Sequence, residues 1–314
     1  MIYWIVRLKD FSRIVIVNIL IAVAFFAVLD VIYTKFFATD TVGIEQKYRF
    51  KNDYYHHHLK ANFNGQGWWG GKRYRICTDN NGFKSKCNPK QTKSFDFAFV
   101  GDSVTEGIGL IYEKTFVGLF HQESELDVAN MAVVSYSPII HLRKLKYFLN
   151  RGFHFDHVII FIDISDIQDD GVRYKFDDQG NITDNSEFQK SQKRGFLRQL
   201  VVDNFNLTTL FYRYLRYGLS PQTMDNDRTS WTYNSESNAY GKGGVENAVK
   251  KSLLYMDELY HLLKGKGIKM SVGIYPLPSQ IFNDTLESNK QEKIWKGFCE
   301  ERCEEFFNVF PVFS

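Results

Sequence analysis

Residues 94–108 read Ser-Phe-Asp-Phe-Ala-Phe-Val-Gly-Asp-Ser-Val-Thr-Glu-Gly-Ile. The run from Phe95 to Val100 is apolar and β-prone except at Asp96. It stops at Gly101-Asp102-Ser103, and helix-compatible sequence resumes from about Tyr112. That pattern predicts a buried strand, a tight turn and a helix start. A serine there stands at the carboxyl end of a strand, where α/β sheets bind ligands. A helix N-terminus and free backbone N–H groups favour a developing negative charge, which is what a nucleophilic serine needs. The plainer alternative is turn and N-cap chemistry by Asp102-Ser103. The strand ahead, and Gly107 and Gly109 behind, weigh against it. The Gly-x-Ser-x-Gly elbow does not fit, because position 105 is Thr.

From residue 95 onward strands and helices alternate. A helix is predicted at about 112–122, a strand at 126–132, and a helix from Pro138 to about Leu149. A nearly continuous apolar strand at 157–163 suits a parallel sheet covered on both faces. A long helix over about Val245–Leu263 carries Val249, Leu253, Met256, Leu259 and Leu263 on one face. The strand Ile268–Tyr275 follows, with Tyr275-Pro-Leu-Pro278 expected at the border of the site. A helix over 286–306 and a strand over 307–313 close the pattern. Residues 164–243 interrupt it as an insertion. Within it, 197–219 predicts one amphipathic helix, for which membrane contact and packing on the core are both open, with the core preferred. Residues 220–243 read as a loop. The expected class is α/β, a parallel sheet in a three-layer α/β/α arrangement.

Three blocks in order resemble the SGNH (GDSL-type) hydrolases. Gly101-Asp102-Ser103 resembles the family's first block. Asp127-Val-Ala-Asn-Met-Ala-Val-Val-Ser-Tyr-Ser-Pro138 resembles the second, an Asn-x-Gly-x-x-Gly-like run with its glycines replaced by Ala132 and Ser135. Val158-Ile-Ile-Phe-Ile-Asp-Ile-Ser-Asp166 resembles the third, Gly-x-Asn-Asp, with Asp163 for the glycine, Ser165 for the asparagine and Asp166 kept. The resemblance covers about residues 95–314 and implies a flavodoxin-like fold and acyl transfer at an ester. Ser103 would be the nucleophile. The Ser103 and Ser135 N–H groups and the Ser165 hydroxyl would form the oxyanion hole, while Asp102 and Asp166 would fix the loops. The family needs no metal or organic cofactor. Its Asp-x-x-His block, the source of the base, is not found near Ser314, so a domain of this type is expected to continue past that residue. The one such spacing, Asp53-Tyr-Tyr-His56, lies on the wrong side of the first block and reads as chance.

Ile14–Leu29 is apolar apart from Asn18 and, extended to Tyr33, is long enough to span a bilayer. Arg7, Lys9 and Arg13 precede it, predicting a signal anchor with a cytoplasmic N-terminus and an extracytoplasmic main domain. A cleaved signal peptide is the alternative. The expected organisation is an anchor at 1–37, a cap segment at 38–94 and the hydrolase-like domain at 95–314. In the cap, His56-His57-His58 read as a solvated loop in preference to a metal site. Trp68-Trp69 could stack on a sugar or pack on the domain. Cys77 and Cys87 flank a turn and suit a disulfide outside the cytoplasm or two thiols. Cys299 and Cys303 read as packed thiols. A net charge of +3 gives no electrostatic case for nucleic acid. The apolar span predicts the membrane as a partner, and the resemblance implies an acylated carbohydrate or other ester substrate. Membrane-anchored members of the family it resembles act on acylated cell-surface glycans, so the resemblance implies acyl esters of such a glycan, with acetyl the expected group. A non-catalytic glycan-binding or assembly subunit on a degenerate hydrolase fold is the other expectation.

Overall fold

The structure is a computed structural model that describes residues 2–38, 41–186, 188, 195–217, 226–233, 237–283 and 289–313. It divides into two compact units, Met1–Asp40 with Ser191–Pro221, and Thr41–Lys190 with Gln222–Ser314.

In the first unit one helix runs Ile2–Phe36. Its stretch Arg13–Phe36 has 24 residues and is long and apolar enough to cross a membrane. At 1.5 Å per residue it is about 36 Å long, against a hydrocarbon core of about 30 Å. Its side chains are exposed almost throughout from Arg13 to Phe26. The protected positions are Ala27, Asp30, Val31 and Thr34, which share one face. Helices Phe196–Asn204 and Asn206–Tyr217 pack on this helix. The expected single helix over 197–219 is thus two, parted at Phe205. Both belong with the N-terminal helix and not with the sheet core. Amphipathic spacing announces a face to be covered but does not name its cover.

The second unit is an α/β domain. Its sheet contains β5 (Ser94–Val100), β6 (Val128–Asn130), β7 (His154–Ile162), β10 (Lys269–Ile274) and β11 (Phe306–Asn308). The spatial order is β11-β10-β7-β5-β6, and every neighbouring pair is parallel. Counted along the chain, that is a doubly wound 2-1-3-4-5 order. Alternation within each strand feeds two cores. Ala98, Val100, Val158, Ile160, Ile162, Val272 and Ile274 pack with the helices α3 (Pro138–Leu149), α5 (Gly244–Lys264) and α7 (Lys290–Cys299). Phe99, Ile159 and Phe161 pack on the other face with Tyr112, Val117 and Phe120, the last two on α2 (Phe116–Ser124). The helix expected over 112–122 is a short 3-10 turn followed by α2, because the Thr115 side chain caps the new N-terminus through Gly118 N–H. The last strand is shorter than expected. It ends at Asn308 ahead of Pro311, which has no N–H for a ladder, and a 3-10 turn takes over at Phe310–Phe313.

The cap segment folds as two antiparallel hairpins, β1 (Arg49–Asn52) with β2 (His56–Leu59), and β3 (Asn64–Trp69) with β4 (Lys72–Cys77). Tyr48, Tyr55, Leu59, Ile76 and Phe83 join the same core as the sheet. His56–His58 are therefore a half-buried strand and not a solvated loop. The insertion begins as α4 (Ile164–Gln168), continues as one π-turn through Asp169–Arg173, and forms a hairpin of β8 (Tyr174–Phe176) and β9 (Ile182–Asp184). Part of the expected loop 220–243 lies outside the described residues, at 220–225 and 234–236. The described remainder is ordered around Trp231, whose indole N–H donates to Tyr240 Oη. Cys77–Cys87 form a disulfide, and so do Cys299–Cys303. The second pair corrects the expectation of packed thiols. Four residues apart at the end of α7, the two sulfurs meet across one helical turn.

Candidate active site

Ser103 is the first residue of a short helix, α1 (Ser103–Glu106), directly after β5. The chain passes from β5 to β6 on one side and returns to β7 on the other. Ser103 therefore stands where a doubly wound sheet opens its ligand crevice. The turn admits only glycine at 101. A Cβ there would lie 2.3 Å from Thr105 Oγ1 and 3.1 Å from the Phe161 carbonyl. Gly107 ends α1 in the left-handed region, with φ 69°.

Asp102 caps α1 by accepting from Val104 N–H at 3.1 Å, and its other oxygen accepts from Ser103 Oγ–H at 2.9 Å. Tyr275, one residue past β10, donates its hydroxyl to Asp102 as well. Asp163 and Asp166 follow β7 and close a capping box on α4. Oxygens of Asp102, Asp163 and Asp166 all lie within 4.8 Å of one another, and all three residues are buried. Burial, and then the charge of Asp102, pushes the Asp163 carboxyl well above its usual range. Burial followed by the charges of Asp163 and Asp102 does the same to Asp166. Three carboxylates this close cannot all ionise, so the cluster holds at least one proton at neutral pH. Asp166 Oδ1 has no hydrogen-bond partner, which fits a protonated carboxyl.

Ser165 does not present its hydroxyl as an oxyanion donor. Its Oγ–H donates to Asp163 Oδ1 at 2.6 Å, beside the Ser165 and Asp166 N–H groups on the same oxygen. A hydroxyl has one proton to give, and Asp163, where the resemblance has glycine, takes it. Ser135 has a φ of +60°, the conformation glycine adopts at least cost. The Ser103 and Ser135 N–H groups make no hydrogen bond within the described structure, while Tyr174 Oη–H fixes the Ser135 carbonyl at 2.7 Å. Asp102 accepts Val104 N–H at the start of α1, and Asp166 accepts Asp163 N–H at 3.1 Å at the start of α4.

The cap supplies residues that the blocks do not announce. Arg49 on β1 binds Glu106 with both terminal nitrogens, at 2.7 and 3.0 Å. The same carboxylate accepts Val134 N–H at 2.7 Å, next to Ser135. Burial alone would raise the Glu106 pKa, but Arg49, then Lys84 and the Val134 N–H, hold it below the usual value. His57 Nε2 lies 2.8 Å from the Val134 carbonyl and must donate to it, so that ring carries its proton on Nε2. Tyr136 Oη–H returns a bond to the His57 carbonyl at 2.5 Å. Lys84 Nζ ties the Gly107 and Leu110 carbonyls. The loop at 133–136 and the turn after Ser103 are thus both held from the cap. The only sequence signal for Glu106 was an acidic residue three positions after Ser103; Arg49 gave none.

Among the described residues no histidine ring bonds Ser103. His141 is fully buried on α3 beside the Gly101 carbonyl, but neither ring nitrogen makes a well-formed hydrogen bond. Burial, then the nearby Lys144 charge, lowers its pKa to about 3, so it is neutral. His56 pairs with Asp184, and so does not reproduce an Asp-x-x-His dyad with Asp53. Compared with protein-family models the chain matches none, and compared with curated proteins it likewise matches none.

Proposed function

We propose that this chain is a membrane-anchored serine esterase or O-acyltransferase of the SGNH type, acting on acyl, chiefly acetyl, esters of extracytoplasmic glycan. The observation that carries the reading is Ser103. It follows β5 at the switch point as the first residue of a short helix, and its own N–H, like that of Ser135, serves no other acceptor among the described residues. Ser103 Oγ would attack the ester carbonyl, and the Ser103 and Ser135 N–H groups would receive the oxyanion. Water or a sugar hydroxyl would then take the acyl group. In the SGNH family the proton acceptor comes from an Asp-x-x-His block. With the Ser165 hydroxyl held by Asp163, the hole has two donors where the family has three. A missing donor costs about 3–4 kcal/mol of transition-state stabilisation, so slow turnover is expected. The 2-1-3-4-5 strand order supports the flavodoxin-like reading. The apolar N-terminal helix, its preceding basic residues and the two disulfides support an anchored domain in an oxidising compartment.

The test is hydrolysis of acetyl esters by the full gene product in detergent, with and without a glycan acceptor. Ser103→Ala is expected to lower kcat by about 10³-fold or more. Unchanged turnover would remove Ser103 from the mechanism.

A second reading, a non-catalytic glycan-binding or assembly subunit, is favoured by one observation. Both site hydroxyls, Ser103 and Ser165, donate to buried carboxylates in place of a base and a substrate. Glycan binding without turnover, unaltered by Ser103→Ala, would support it.

A further inference from the structure

Asp30 places a carboxylate inside the apolar span, six residues before its end at Phe36, or about 9 Å along the axis. A carboxylate there needs partners. It finds them on the helix Asn206–Tyr217. Asp30 Oδ1 accepts Leu207 N–H at 2.8 Å, and Oδ2 accepts Thr208 N–H at 2.8 Å and the Thr208 hydroxyl at 2.7 Å. Thr34, one turn on, accepts Asn206 N–H at 2.8 Å. Four bonds therefore fix the start of this helix at the depth of Asp30, within the last turns of the span. Beyond that start the helix presents exposed apolar side chains. Leu210, Phe211, Tyr214 and Leu215 are all more than half exposed. With Leu207 they form a single stripe at helical spacing. The span is itself exposed on both sides of Asp30, at Leu29, Ile32 and Phe36, so the stripe starts alongside apolar surface that the span also presents.

On the reading that Arg13–Phe36 spans a bilayer, we propose that helix Asn206–Tyr217 is an in-plane membrane helix. Its Leu210, Phe211, Tyr214 and Leu215 stripe would sit in lipid at the headgroup–acyl boundary, with its depth set by Asp30. The occupant of the exposed face is lipid because the face is continuous with a surface that only lipid would cover. An apolar stripe of this kind at an interface has the character of a monotopic segment. Asp30 then has a role that no single-pass anchor requires. It couples the spanning helix to a second membrane contact and fixes the rotation of one against the other.

The test uses the full chain in phosphatidylcholine vesicles with an environment-sensitive fluorophore on a single introduced thiol. The natural cysteines are all in disulfides and leave that thiol unique. Labels at Phe211→Cys and Leu215→Cys should be quenched most by lipids brominated near the headgroup end of the acyl chain. A label at Ile21→Cys, deep in the span, should be quenched most by lipids brominated near the chain end. Asp30→Ala should shift the emission of the Phe211→Cys label to the red and leave that of Ile21→Cys unchanged. If Ile21→Cys is quenched and the labels at 211 and 215 are not, the in-plane helix is refuted and the anchor stands. If none is quenched, the anchor reading fails and this inference fails with it.

Discussion

Arg49→Met should be among the most costly single changes in the cap, because it strands a charge. Glu106 is fully buried and gives one oxygen to Arg49 Nη2 and the other to Arg49 Nη1 and Val134 N–H. Methionine fills the arginine stem's space but leaves the carboxylate with one donor. Breaking a buried pair from one side costs about 3–5 kcal/mol, because the remaining charge stays desolvated. For a domain of this size each kcal/mol moves Tm by about 2–4 °C, so a fall of roughly 6–20 °C is expected. Arg49→Met with Glu106→Gln should recover a large part of that loss. The glutamine carbonyl can still accept Val134 N–H and carries no charge. Thermal unfolding in detergent followed by near-ultraviolet dichroism gives both numbers, and the cycle isolates the pair. The Glu106 pKa is depressed in the fold, so the pair's contribution is present above the unfolded carboxyl value of about 4.3 and fades as pH falls through the folded value. The gap between parent and Arg49→Met should therefore narrow on acidification. A single-mutant loss below about 1 kcal/mol, or a double mutant no better than the single, would refute the clamp.

The buried carboxyl cluster predicts an opposite pH dependence. The folded Asp166 holds its proton while the unfolded chain ionises near pH 3.9, so its cost to the fold grows as pH rises from about 4. Asp166→Asn, which keeps an acceptor for Asp163 N–H, should be more stable than the parent, with a lead in urea titrations that widens as pH rises above about 4. A lead that does not change with pH would contradict a proton held by Asp166 in the fold. Ser135→Gly relieves a positive φ and should change stability by no more than about 1 kcal/mol in the favourable direction; a clear loss in the same titration would show that the Ser135 side chain is needed. Opening the Cys77–Cys87 disulfide, which closes a loop of ten residues' separation, by a double serine substitution should cost about 3 kcal/mol. An unchanged urea midpoint would show that the bridge does not constrain the folded cap.

The strands were legible because a parallel sheet buried on both faces demands apolar runs, which Phe97–Val100 and Val158–Ile162 provide without a break and Met270–Ile274 provides with one polar residue, Ser271. Ser103 was legible because strand, glycine and cap residue fall together. Roles set by distant partners were not. Ser165 looked like a free donor until Asp163 proved to be its acceptor. Asp163 itself read only as a replaced glycine. His57 looked solvated because three successive histidines carry no apolar signal, yet the Val134 carbonyl gives its ring a buried partner. Arg49 and Glu106 are 57 residues apart, and no local pattern joins them. Helix Asn206–Tyr217 showed its amphipathic spacing, but the Asp30 cap lies 177 residues from Leu207.

The central claim is that Ser103 is a nucleophile. Treating the full gene product with a fluorophosphonate and digesting it for mass spectrometry tests that claim without knowledge of the natural ester. The account predicts one adduct, on the peptide carrying Ser103, that disappears in Ser103→Ala and is slowed by excess acetyl ester. An unmodified Ser103 in a folded protein, or an adduct on another serine that survives Ser103→Ala, would contradict it.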